Sequence, residues 1–206
     1  MKSYYINLKH RKDRRSHIDE NIKSLDFFKD LQRIEAIYKK RGAIGATMSH
    51  IKALEKFNGK EDMVLIMEDD FFIFDQQNLL DFVKDFEEIK NSDIWDAIIL
   101  TPRGDTVEKN VKNNFNRIKN NQTATAYILK KELVPILIKN FTESKEALER
   151  RQNTDIWALD QHWKVLQEEY KFLYYDKLFA GQIPSYSDIE RKKVDYNDRF
   201  KKQNNY

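Results

Sequence analysis

The chain contains no cysteine among its 206 residues. That absence excludes a disulfide-stapled scaffold, a zinc–thiolate centre and a cysteine nucleophile, and it suits a reducing compartment. Glycine and proline are scarce, at five and three residues, so no flexible or proline-stiffened linker divides the chain. No apolar run approaches the ~20 residues needed to span a bilayer. The opening stretch Met1–Leu8 lacks the sustained apolar core of a secretory signal, and charge returns at Lys9. The expectation is a soluble, cytoplasmic protein that meets a membrane only through a partner. An excess of one charge is missing too. With 37 Lys+Arg against 34 Asp+Glu, the net charge of +3 gives no case for a nucleic-acid binder.

What is present is core-forming material. A hydrophobic fraction of 40% and an aromatic fraction of 13% are too rich for a disordered chain. The length suits one domain, taken as residues 1–190, followed by a polar tail over 191–206 anchored by Tyr196 and Phe200. No internal repeat is visible. Short β-branched and aromatic runs predict strands over Ser3–Leu8, Arg33–Tyr38, Met63–Met67, Asp96–Thr101, Ala124–Leu129 and Lys171–Tyr175. Between them, apolar residues recur at helical spacing as Ile44/Met48/Ile51/Leu54, Leu79/Val83/Phe86/Ile89 and Ile156/Leu159/Trp163/Leu166. Asn153-Thr154 supply cap residues for the last stripe. The alternation predicts an α/β sandwich around a mostly parallel sheet. The polar segment Asp105–Gln122 is expected to be a mobile loop or an irregular excursion.

Four constellations bear chemistry. The first is Met63-Val64-Leu65-Ile66-Met67-Glu68-Asp69-Asp70, an apolar strand that runs into three successive carboxylates. In extended chain Glu68 and Asp70 project to one side and Asp69 to the other. Such a cluster repels itself unless a cation is near, and oxygen-only ligands suit Mg²⁺ or Mn²⁺. The alternative is an acidic, solvated turn. The second, Arg41 to His50, is a glycine-containing turn that opens a helix, matching neither a Walker loop nor the dinucleotide fingerprint. By itself it leaves His50 as a structural hydrogen-bonder. The third is the basic run Lys9–Arg15, which would suit a diphosphate through bidentate arginine bonds or form a solvated helix start. The fourth holds Asp155, Asp160 and His162. Asp155 complements a helix N-terminus. Asp160 borders an apolar stripe, where a carboxylate with a raised pKa can act as a general base. His162 is a structural residue or a metal ligand.

Taken in order, Tyr4-Tyr5-Ile6-Asn7-Leu8 with Arg14-Arg15, Gly42–His50, Leu65–Asp70, Thr125–Leu129, Leu159–Trp163 and Gln182–Ile189 resemble glycosyltransferase family 25. That family includes bacterial lipooligosaccharide galactosyltransferases and collagen-type galactosyltransferases. The resemblance implies a GT-A-like (Rossmann-like) nucleotide-sugar-binding fold with a DXD-like acidic motif at a strand end. It also implies Mn²⁺ (or Mg²⁺) as cofactor, a UDP-sugar donor, and a glycan or hydroxylated protein or peptide as acceptor. On this sequence Asp70 and Glu68 would hold the metal, with Asp69 as the alternative in a shifted pair. Asn7, Arg14, Arg15, Gly45, Ser49, His50, Glu68 and Asp69 would line the nucleotide-sugar site. Asp160 would be the catalytic base, and Asp105–Gln122 a lid or an acceptor-binding loop. Two other classes remain open from the residues: a degenerate scaffold that binds nucleotide-sugar or glycan without turnover, and a nucleotidyltransferase.

Overall fold

The computed structural model describes residues 1–187 and 192–195. The chain begins with β1 (Lys2–Asn7) and α1 (Lys12–His17), which a wider helical turn prolongs over Ile18–Ile22. It continues with β2 (Gln32–Glu35), α2 (Gly42–Lys56), β3 (Met63–Glu68), β4 (Phe71–Ile73) and α3 (Gln76–Ile89). The middle holds β5 (Ala97–Ile99), β6 (Asp105–Lys112), β7 (Phe115–Lys119), β8 (Ala126–Lys130) and α4 (Val134–Glu149). Short helices α5 (Thr154–Trp157), α6 (Leu159–His162) and α7 (Leu166–Glu169) follow, then β9 (Phe172–Tyr175), β10 (Ala180–Gln182), β11 (Ser185–Ser187) and β12 (Lys192–Val194).

Eight strands form one sheet in the order β2-β1-β3-β8-β5-β9-β7-β6. β1 runs parallel to β2 and β3, and β5 parallel to β9, while β8 and β7 run against their neighbours. Six of the eight therefore point the same way, which is the mostly parallel sheet expected of the α/β pattern. Alternation along each strand feeds two cores. Tyr4, Val64, Ile66, Tyr127 and Leu129 pack with α2 and α4 on one face. Tyr5, Leu65, Met67, Ile128 and Leu173 pack with α3 on the other. Both faces are thus covered, as a sheet with parallel crossovers requires. No helix among the described residues is long and apolar enough to cross a membrane.

Several expectations need correction. Asp105–Gln122 is no loop: β6 and β7 form a hairpin that extends the sheet edge. Buried Phe115 and Ile118 anchor it, and Asn110, Asn113 and Asn114 adopt the left-handed backbone that its turns need. The segment is therefore no lid. The stripe through Ile156 and Leu166 is not one helix but α5, α6, a 3₁₀ turn and α7, and Ile156 is 58% exposed. On α2 the most buried face is made of Ala43, Thr47, Ser49, His50, Ala53 and Leu54, not of Ile44, Met48 and Ile51. Small and polar residues there let α2 sit close to its neighbours. The expected tail is described only over 192–195, where β12 pairs with β11; Tyr196 and Phe200 lie outside the described residues.

Candidate active site

Parallel β1, β2 and β3 all end at one edge of the sheet, where open α/β sheets offer a crevice. β3 is buried from Met63 to Met67 and delivers Glu68 to that edge. There the Glu68 amide donates to the Thr125 carbonyl at 2.7 Å. The chain turns at Asp69-Asp70 and resumes as β4, so three carboxylates meet at the crevice.

They are not equivalent. Asp69 is buried and both its oxygens are engaged: Oδ2 accepts from Asn7 Nδ2 at 2.7 Å and Oδ1 from Arg14 Nη1 at 2.8 Å. Burial nonetheless pushes its pKa up, against the pull of Arg14 and Asn7. Asp70 meets Arg14 at 3.3 Å through Oδ2, while its buried Oδ1 accepts no hydrogen bond. Burial, then the charges of Glu68 and Asp69, push the Asp70 carboxyl up to about 7 against the Arg14 charge. Arg14 is held in place because its helix is pinned by His17, whose Nε2 donates to the Phe71 carbonyl at 2.8 Å. The Glu68 Oε1 lies 3.2 Å from His50 Nε2, and His50 Nδ1 lies 2.9 Å from the Tyr127 hydroxyl.

α2 forms a second wall. Gly45 lies so close to the chain after β2 that a Cβ would sit 2.6 Å from the Ile37 carbonyl. Ser49 locks this approach, as its hydroxyl donates to the Gly45 carbonyl at 2.6 Å and accepts from the Ile37 amide at 2.8 Å. At the helix start, Arg41 donates to the carbonyls of Leu148 (2.5 Å) and Gln152 (2.9 Å), tying α2 to the end of α4.

The third wall carries Asp160 on α6. α4 fixes this region through Ser144 Oγ, which donates to the Trp157 carbonyl at 2.6 Å. Asn153 caps α5 by accepting from the Asp155 amide at 2.9 Å. Burial, then the Glu68 charge, push the Asp160 carboxyl up to about 6. The residue stays half-buried at the cleft surface. Beside it, Gln161 reaches Gln122 at 3.3 Å. The strand connection holding Gln122 is clamped from behind. The Asn121 amide donates to Gln167 Oε1 (2.8 Å), and its carbonyl accepts from Gln167 Nε2 (3.0 Å) and Trp163 Nε1 (2.7 Å).

The three walls enclose a cleft of about 360 Å³. Arg14, Gly45, Ser49, His50, Glu68, Asp69, Asp70 and Asp160 all line it. Two expected residues do not. Asn7 stands behind the wall, holding Asp69, and Arg15 is exposed on the outer side of α1, 3.7 Å from Asp19. His162 also lies away from the cleft, tilted against Trp157 with ring centroids 4.6 Å apart and paired with Glu143. The cleft is lined as well by Arg11 of the basic run and Gln182 of the last block, and by four residues outside the four constellations, Tyr38, Lys39, Arg103 and Gln122. Tyr38 is 68% exposed at the rim. Among the described residues no three His, Asp or Glu side chains close on one point as a complete metal cage would. The unpartnered Asp70 Oδ1 and the neighbouring Glu68 offer carboxylate oxygens at the cleft. They fit an ion that takes one or two protein carboxylates and fills its shell with water and phosphate oxygens.

Neither the protein-family models nor the curated protein sequences give a match to this chain. Solved structures do. A glycosyltransferase involved in glycosylation of the major capsid of PBCV-1 superposes with a TM-score of 0.55 at 8% identity, over 100% of this chain and 98% of that one. A mannose-1-phosphate geranyltransferase from Thermus thermophilus gives a TM-score of 0.47 at 9% identity over 89% of this chain. This chain spans 61% of that protein's length. A UDP-glucose pyrophosphorylase complexed with UDP-glucose also gives 0.47, at 9% identity. At these identities the first of them shows the fold, which is the GT-A-like α/β sandwich.

Proposed function

We propose that this protein is a metal-dependent glycosyltransferase similar to family 25. It moves a sugar, with galactose the first to test, from a UDP-sugar to an acceptor hydroxyl on a glycan or a hydroxylated protein or peptide, with inversion. One observation carries the reading: a cleft at the strand ends that joins Glu68 at the end of β3 and Asp70 in the turn after it to the raised-pKa carboxylate of Asp160 from α6. The GT-A-like fold supports it.

Glu68 and Asp70 would hold Mn²⁺ (or Mg²⁺), which when bound supplies positive charge against the diphosphate as UDP leaves. Arg14 keeps Asp69 and Asp70 from repelling each other apart. Asp160 is ionised at neutral pH yet a better base than an ordinary aspartate. It takes the proton of the acceptor hydroxyl as the new bond forms. Positive character developing on the sugar ring is stabilised by the same negative surroundings. The clamped wall around Gln122 and the Ser49-locked wall of α2 keep the cleft shaped before ligand arrives.

The test is incubation with UDP-galactose, Mn²⁺ and a set of glycan and hydroxylated-peptide acceptors. UDP release that ends on chelation and in Asp70→Asn and Asp160→Asn is the expected result. Pyrophosphate in place of UDP would make the protein a nucleotidyltransferase. UDP-sugar binding without turnover on any acceptor would make it a scaffold.

A further inference from the structure

We infer that His50 and Tyr127 are positioning residues for Glu68: a buried hydrogen-bond chain holds that carboxylate at the cleft through the Nε2–H of the imidazole. The inference deepens the proposed function and rests on it for what Glu68 binds. The chain itself rests on geometry alone.

Glu68 Oε1 faces His50 Nε2 at 3.2 Å. An ionised carboxylate only accepts, so Nε2 must carry the proton. Nδ1, on the other side of the ring, lies 2.9 Å from the Tyr127 hydroxyl, which completes the chain. The ring cannot turn out of this arrangement. It stacks on Tyr127 at 5.8 Å and meets Phe141 edge-on at 6.1 Å, and Tyr127 in turn abuts Trp163 at 5.5 Å. His50 and Tyr127 are both out of solvent, whereas the Glu68 side chain keeps 26% of its surface. Two buried side chains thus direct one accessible carboxylate. His50 serves the ligand from behind Glu68, since both ring nitrogens are already committed.

Two measurements decide it. Long-range ¹H–¹⁵N spectra of the four histidines, with His50 assigned by its loss in His50→Gln, should show a proton on its Nε2. Affinity for UDP with Mn²⁺, read by calorimetry, should fall about tenfold or more in His50→Leu. His50→Gln, whose amide can still donate to Glu68, should recover most of it, and Tyr127→Phe should fall between. A merely structural role would leave both folded His50 variants equal. The Nδ1–H tautomer, or equal affinities in folded His50→Leu, His50→Gln and wild type, would overturn the inference. If the wild type ignores UDP altogether, the donor reading fails separately, and the tautomer alone upholds or overturns the hydrogen-bond chain.

Discussion

Arg14 and Asp69, 55 positions apart in the chain, meet at 2.8 Å with their side chains only 13% and 8% exposed. This ion pair joins α1 to the turn after β3, and so fixes the acidic edge of the cleft. A buried pair contributes little when compared with apolar replacements, but removing one partner strands the other.

Arg14→Ala therefore leaves two buried carboxylates, Asp69 and Asp70, without their cation. The expected loss is about 3 kcal/mol of unfolding free energy, read by urea denaturation at pH 7. Because Asp70 becomes easier to protonate in that variant, the loss should shrink as the pH falls.

The Asp160 carboxyl, pushed up to about 6, fixes a pH dependence with a definite sign. A base must be ionised to act, so kcat should rise as the pH passes through about 6 and level off above it. Asp160→Asn should lower kcat by roughly 10²–10⁴-fold with little change in UDP affinity. Stability runs the other way. The folded value lies above the ordinary 3.8, so a penalty begins above that value and is complete past about 6. Asp160→Asn should be more stable than wild type at pH 8, by on the order of 1–2 kcal/mol after allowance for solvent at the cleft.

Gly45→Ala places a methyl 2.6 Å from a backbone carbonyl that cannot swing aside. The helix and the Ile37–Lys39 wall must separate, at a cost of about 1–3 kcal/mol. Tm should fall, and the UDP affinity with it, since this wall lines the cleft.

Gln167 accepts from the Asn121 amide and donates to its carbonyl. Gln167→Leu leaves that buried amide unpaired, at about 1–3 kcal/mol, while the carbonyl keeps Trp163. Faster hydrogen exchange confined to the Arg103 and Gln122 side of the cleft is the expected sign.

Much of this was legible in the sequence, and the reasons differ by element. β1, β3 and β8 are buried on both faces, so their unbroken apolar runs announce themselves. The acidic edge was legible because three carboxylates directly after such a run have few purely structural uses. β6 and β7 were not, since an edge hairpin keeps one polar face and its asparagines resemble a loop. Tyr38, Arg103 and Gln122 reach the cleft from three separate segments, which no local spacing records. The role of Asn7 was hidden likewise, because holding Asp69 is a contact across 62 positions. The α2 face misled because close helix packing is achieved by small residues, which carry little hydrophobic signal.

Whether the acidic edge binds a donor through a metal is decided by thermal unfolding of the wild type and Asp70→Asn with UDP-galactose, each with and without Mn²⁺. A ligand bound only by the native state adds about 2.7 kcal/mol at a hundred times its Kd. A large Mn²⁺-dependent rise in Tm is expected for the wild type and none for Asp70→Asn. No rise in the wild type, or an equal rise in both with or without the metal, would contradict metal-mediated donor binding at that edge.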